Sequence, residues 1–129
     1  MPPKPEVELP ETIPTDLVIT TLEPGDGAAA AAGDTVSVFY VGVRTEDGIE
    51  FDNNYDSGTP FPVPLGAGRV IQGWDAGLVG AQEGARIQLD IPAALAYGDQ
   101  ARGDVIRAND ALTFVIDVVD VAPAAAADQ

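Results

Sequence analysis

Trp74 is the only tryptophan in this 129-residue chain. It stands in Val70-Ile71-Gln72-Gly73-Trp74-Asp75, just behind a glycine-punctuated turn and at the start of a short helical pattern. A helix start leaves backbone N–H groups without internal partners, so an indole beside them sets an apolar surface next to free donors. That pairing suits an extended peptide or amide. Seven further aromatics, Phe39, Tyr40, Phe51, Tyr55, Phe61, Tyr97 and Phe114, fall on different segments and can converge on one concave site. Taken singly, each reads as core filling. There is no cysteine and no histidine, which removes disulfides, thiol nucleophiles, zinc sites of the usual ligand type and every scheme built on imidazole. The chemistry left is light, and it calls for no cofactor and no metal.

Composition narrows the partners. Six basic against 21 acidic residues give a net charge of −15, which repels nucleic-acid phosphates and anionic lipid heads. An acidic surface is also the simple solution to solubility, so the charge need not select a partner. No stretch approaches the roughly 20 apolar residues of a membrane helix, and Met1-Pro2-Pro3-Lys4-Pro5-Glu6 lacks the apolar run of a secretory signal. The expectation is a cytoplasmic monomer that binds neither nucleic acid nor membrane.

The elements that must position these residues follow from period and punctuation. Residues 1–15 mix Pro with Glu and Lys without a period and read as a flexible arm. Residues 122–129 form an alanine-rich tail with little to bury, which leaves 16–121 as one folded domain. A first strand is expected over Asp16 to Leu22, ending at Pro24-Gly25-Asp26-Gly27, with Ala28 to Ala32 as a connector. From Asp34 the residues alternate, Val36, Val38 and Tyr40 on one face and Thr35, Ser37 and Phe39 on the other. Glu46-Asp47-Gly48 is a turn, Ile49 to Phe51 is extended again, and Phe61 to Leu65 is a short strand whose prolines mark an edge. Ile71, Trp74 and Leu78 make one stripe of a short helix that stops at Gly80. Ala85, Ile87, Leu89 and Ile91 alternate with Arg86, Gln88 and Asp90; Leu112, Phe114, Ile116 and Val118 make a further alternating face. The long connection from Pro92 to Asp110 has the length of a binding loop. The fold class is α+β, five or six antiparallel strands with one short α-helix packed on the sheet.

In order along the chain stand Val38-Phe39-Tyr40-Val41-Gly42, Phe51-Asp52, Pro60-Phe61, Leu65-Gly66, Val70-Ile71-Gln72-Gly73-Trp74-Asp75, Gly84, Ile91-Pro92, Ala96-Tyr97-Gly98 and Leu112-Thr113-Phe114. No single one is decisive, but their joint order from about Asp16 to Val121 resembles the FKBP-type peptidyl-prolyl cis-trans isomerases. The resemblance implies a twisted sheet wrapped around the helix, with an aromatic pocket between the two. It implies Trp74 as the base of that pocket, Tyr40, Phe51, Phe61, Val70, Ile71, Tyr97, Ile106 and Phe114 as its walls, and Asp52 as its acid. Asp52, Tyr97 and Phe114 would be the catalytic group, with the Ile71 N–H and the Tyr97 hydroxyl donating to ligand carbonyls. Six of the eight aromatics are used in this way. The implied activity is rotation about X-Pro bonds in proline-containing peptides or unfolded chains, in support of protein folding. Tacrolimus or rapamycin-like macrolides are implied as pocket ligands. A non-catalytic proline-binding module using the same pocket is the second reading.

Some positions depart from the family pattern. Ser57 falls where many relatives carry a basic partner for the acid equivalent to Asp52, Arg102 sits at the tip of the long loop, and Val105-Ile106-Arg107 replaces a more usual proline-containing run. The stretch between Tyr97 and Phe114 is too short for an inserted chaperone domain. Two local patterns compete and fail. Asp52, Asn54 and Asp56 have the spacing of a calcium loop, but Ser57 and Val63 stand where it needs Gly and Glu. Gly66-Ala67-Gly68 lacks the third glycine of a dinucleotide loop.

Overall fold

The computed structural model describes residues 4–101 and 105–123. The chain forms β1 (Val18–Glu23), β2 (Thr35–Arg44), β3 (Glu50–Asn53), β4 (Phe61–Pro64), α1 (Gln72–Leu78), β5 (Arg86–Ile91), a 3-10 turn at Ala93–Leu95 and β6 (Leu112–Ala122). All strand pairs are antiparallel, in the order β1-β5-β6-β2-β3, with β4 also on β2. This is the α+β arrangement expected, with six strands and one short α-helix among the described residues. No helix among the described residues is long and apolar enough to cross a membrane.

The β-branched and aromatic run of β2 suits a pleated, buried strand, and the two faces of the sheet lead to two separate apolar clusters. Val36 and Val38 of β2, Ile87, Leu89 and Ile91 of β5, and Phe114, Ile116 and Val118 of β6 share the main core with Trp74 and Leu78 of the helix. Phe39, Val41, Tyr55 and Val115 form the second cluster on the opposite face, where Val7 packs against them. The register between β2 and β6 slips between Ser37 and Val38, so Val119 is an extra residue in β6. Val118 and Val121, three apart rather than two, both enter the main core for that reason.

Two polar residues of β5, Gln88 and Asp90, are buried alongside its apolar ones, which alternation alone does not require. Gln88 and Asp90 are 8% and 5% exposed, and the segment before β1 reaches Gln88, whose amide donates to the Glu8 carbonyl at 3.0 Å. Their polar atoms are satisfied in a ladder, Gln88 and Thr113 both donating to Asp90 Oδ1, and Thr113 meeting Thr45 at 2.8 Å.

Helix α1 lies unusually close to the sheet. A Cβ added at Gly73 would stand 2.6 Å from Ile91, and one at Gly77 2.8 Å from Leu89. The glycines therefore form the contact face, and Trp74 and Leu78 are pressed into the core beside them. The helix ends as expected, at Gly80, which takes φ 91 and donates to the Ala30 carbonyl at 2.7 Å.

Candidate active site

An open cavity of about 230 Å³ lies where the helix start meets β2, β3, β4 and the start of β6. Nine of the side chains expected there line it: Tyr40, Phe51, Asp52, Phe61, Val70, Ile71, Trp74, Tyr97 and Phe114. Ile106 is not among the residues that line it; it is 7% exposed and packs within the main core cluster. Arg69 lines the cavity and was not expected. Its continuity with Val70 and Ile71 was the sequence signal available.

Trp74 is 4% exposed and forms the floor. Tyr40 meets it edge-on with ring centroids 5.1 Å apart at 83°, Phe114 does the same at 5.2 Å and 84°, and the two lie 6.4 Å from each other. Phe51 in turn stands edge-on to Phe114 at 5.6 Å and 88°, while Phe61, 40% exposed, rises at the rim 6.3 Å from the indole. Edge-to-face packing of this kind aligns positive ring edges with negative faces and fixes the box geometrically. The remaining two aromatics, Phe39 and Tyr55, stack at 5.6 Å in the second cluster on the far side of the sheet. Six of eight converge, as the resemblance implies.

Gly42 explains why Phe51 and Phe114 can share the wall. On β2 it pairs with Asp52 of β3 and Phe114 of β6, and a Cβ there would lie 2.6 Å from the Phe114 ring and 2.7 Å from the Phe51 ring. The two rings occupy the space that its missing side chain leaves.

The polar groups sit on this apolar frame. The Tyr40 hydroxyl donates to Asp52 Oδ2 at 2.6 Å, a short charge-assisted bond. Burial, and next the bond to the Asp52 carboxylate, hold the Tyr40 hydroxyl well above the ordinary tyrosine value, so it remains a donor. The backbone that carries both is set by Asn54, whose side chain accepts from the Tyr40 N–H at 2.7 Å and donates to the Val38 and Thr59 carbonyls. Asn54 thus points into the fold, and the alternation Asp52, Asn54, Asp56 does not converge on a common point. The Ser57 hydroxyl donates to the Asn54 carbonyl at 2.9 Å, and among the described residues Asp52 has no ion-pair partner.

The helix start is held toward the cavity by Asp75, which accepts from the Gly66 N–H at 3.1 Å and ties the 66–70 turn to α1. Ile71 is the N-cap residue, with no side-chain cap, and its carbonyl accepts from Trp74 and Asp75. Its own N–H has no acceptor among the described residues. The loop bearing Tyr97 is closed at its base by Asn109, which takes φ 65 and donates to the Gly98 carbonyl at 2.7 Å. Arg44 donates to the Val105 carbonyl at 2.9 Å from β2. Arg102 lies outside the described residues.

Among known proteins, a family model described as FKBP-type peptidyl-prolyl cis-trans isomerase matches residues 27–119, which include every residue that lines the cavity. The chain belongs to the FKBP-type peptidyl-prolyl cis-trans isomerases. An FK506-binding protein of Streptomyces anulatus is 51% identical over 120 residues, spanning 92% of this chain and 97% of that one. The peptidyl-prolyl cis-trans isomerase FPR2 of Saccharomyces cerevisiae is 44% identical over 96 residues, 74% of this chain and 71% of that one. Among solved structures, FkpA from Escherichia coli superposes with a TM-score of 0.75 at 40% identity. The match covers 94% of this chain and 54% of that one.

Proposed function

We propose that the cavity isomerises X-Pro bonds in accessible or partly unfolded protein chains, with the prolyl ring seated on Trp74. The observation that carries this reading is the convergence of six aromatic rings on one open cavity whose wall holds, among the described residues, one carboxylate, Asp52. Amide rotation has a barrier of about 18–20 kcal/mol because it breaks resonance, and it needs no covalent intermediate. Twisting makes the amide nitrogen more pyramidal and its carbonyl less conjugated, and only contacts stronger with that state than with the planar one raise the rate.

In this assignment Asp52, Tyr97 and Phe114 are the catalytic group. Asp52 acts electrostatically and by orienting the Tyr40 hydroxyl, without transferring a proton. Tyr97 and the Ile71 N–H donate to substrate carbonyls, while Phe114 and Trp74 hold the ring in a water-poor setting. Tyr40, Phe51, Phe61, Val70 and Ile71 complete the binding surface. Ile106 is not assigned to that surface, since it is not among the residues that line the cavity.

The same apolar box with carbonyl donors suits macrolides of the tacrolimus and rapamycin type. Refolding of a proline-limited protein, followed with and without such a macrolide, tests both parts of the reading together. Acceleration that the macrolide abolishes, with a change in Trp74 fluorescence on binding, is expected. Macrolide binding without any acceleration would leave only a binding module.

Residues 16–121 are taken as the catalytic domain, with 1–15 and 122–129 as accessory segments, and the family match at 27–119 lies inside those bounds. Deletion of 1–15 is expected to retain activity. The reading further takes the protein to act as a cytoplasmic monomer, which cell fractionation and sedimentation test.

A further inference from the structure

Four of the six basic side chains are matched to carboxylates: Lys4 with Glu50 at 3.0 Å, Arg44 with Asp47, Arg86 with Asp117 at 2.8 Å, and Arg107 with Glu46 at 2.7 Å. Among the described residues Arg69 is the one cation with no carboxylate in ion-pair range. A chain with 21 acidic residues does not lack candidates. Asp75 reaches the same turn but accepts from the Gly66 N–H, and Asp52 lines the same cavity but accepts from Tyr40. Arg69 is exposed and lines the cavity beside Val70 and Ile71.

We propose that Arg69 is a specificity-determining residue, pairing with an acidic side chain directly before or after the substrate proline. This rests on the isomerase reading above. The aromatic floor takes the prolyl ring, so the flanking residues lie at the mouth, where Arg69 is the only described cation. A guanidinium there presents a fork of donors that fits a carboxylate in two-point geometry. The remainder of the protein, at −15, repels acidic chains at long range. Selection for an acid is therefore local and needs contact within the cavity.

The test compares kcat/KM on matched peptides carrying Glu or its neutral isostere Gln, placed directly before and directly after the proline. Wild type, Arg69→Gln and Lys4→Gln are assayed side by side. Lys4→Gln removes the same charge from a lysine that does not line the cavity. Arg69→Gln is expected to lower the Glu-to-Gln ratio about two- to fivefold at one of the two positions, the range of an exposed ion pair. Lys4→Gln is expected to leave the ratio where it was. A ratio unmoved by Arg69→Gln, or moved equally by both variants, overturns the specificity and leaves the isomerase reading standing. Wild type inactive on every peptide overturns both.

Discussion

The Tyr40 hydroxyl donates to Asp52 Oδ2 at 2.6 Å, which ties the cavity wall on β2 to the wall on β3 and makes the two side chains one functional unit. A hydrogen bond to a charged group is worth about 1.5–3 kcal/mol, and the open setting of the cavity favours the lower end. Asp52→Asn is therefore expected to lower kcat/KM by about tenfold, and Tyr40→Phe by less. The double variant should be no slower than Asp52→Asn alone, because residues acting as a unit are not additive. Steady-state rates on one peptide, with far-UV spectra to verify the fold, decide this.

Alkaline stability follows from two tyrosines. Tyr55 donates to Asp117, which Arg86 also grips, and burial followed by the bond to that carboxylate raises its value far above 10, as for Tyr40. In both cases the folded state holds its proton at a pH where the unfolded chain has released it. Stability is then full below about pH 10 and falls as pH rises beyond it, since the native state binds more protons. Denaturant melts at about pH 8 and about pH 11 should show a smaller loss for Tyr55→Phe and Tyr40→Phe than for wild type. Equal losses would mean that neither hydroxyl is held as described.

Two glycines carry steric predictions. Helix propensity alone makes Gly77→Ala stabilising by about 1 kcal/mol, yet the added methyl would lie 2.8 Å from Leu89. Overpacking costs about 1–3 kcal/mol, so the net change in a urea melt should be destabilising. Gly42→Ala drives a methyl into the Phe51 and Phe114 rings, and is expected to impair macrolide binding as well as stability.

Trp74 Nε1 is buried and has no hydrogen-bond partner among the described residues. An orphan buried donor costs about 1–3 kcal/mol. Trp74→Phe removes that donor together with part of the ring, so its stability loss should fall clearly below the roughly 3–5 kcal/mol of a large core truncation such as Trp74→Ala. Thermal melts of both variants compare the two directly.

Much of this arrangement is legible in the sequence, and the exceptions have physical causes. The alternation of β5 and β6 and the Ile71–Trp74–Leu78 stripe fix strands and helix because period follows burial. The order of short motifs brings nine cavity residues together. Ile106 differs because a matched position gives a place along the loop and not which way its side chain turns, and here it turns into the core. Arg69 carries no pattern of its own; only the fold shows it left without an acid. Gln88 is tied to Glu8, 80 positions away, and Asp90 to Thr113 on the neighbouring strand, partners that no local window contains.

Catalysis by the cavity is tested most directly by cis/trans exchange at the X-Pro bond of a short peptide, measured by NMR exchange spectroscopy with catalytic amounts of protein. Wild type is predicted to raise the exchange rate in proportion to its concentration, and Asp52→Asn to lower that gain by about tenfold while keeping the same fold. An exchange rate equal to that of the free peptide, with folded wild-type protein present, would contradict it.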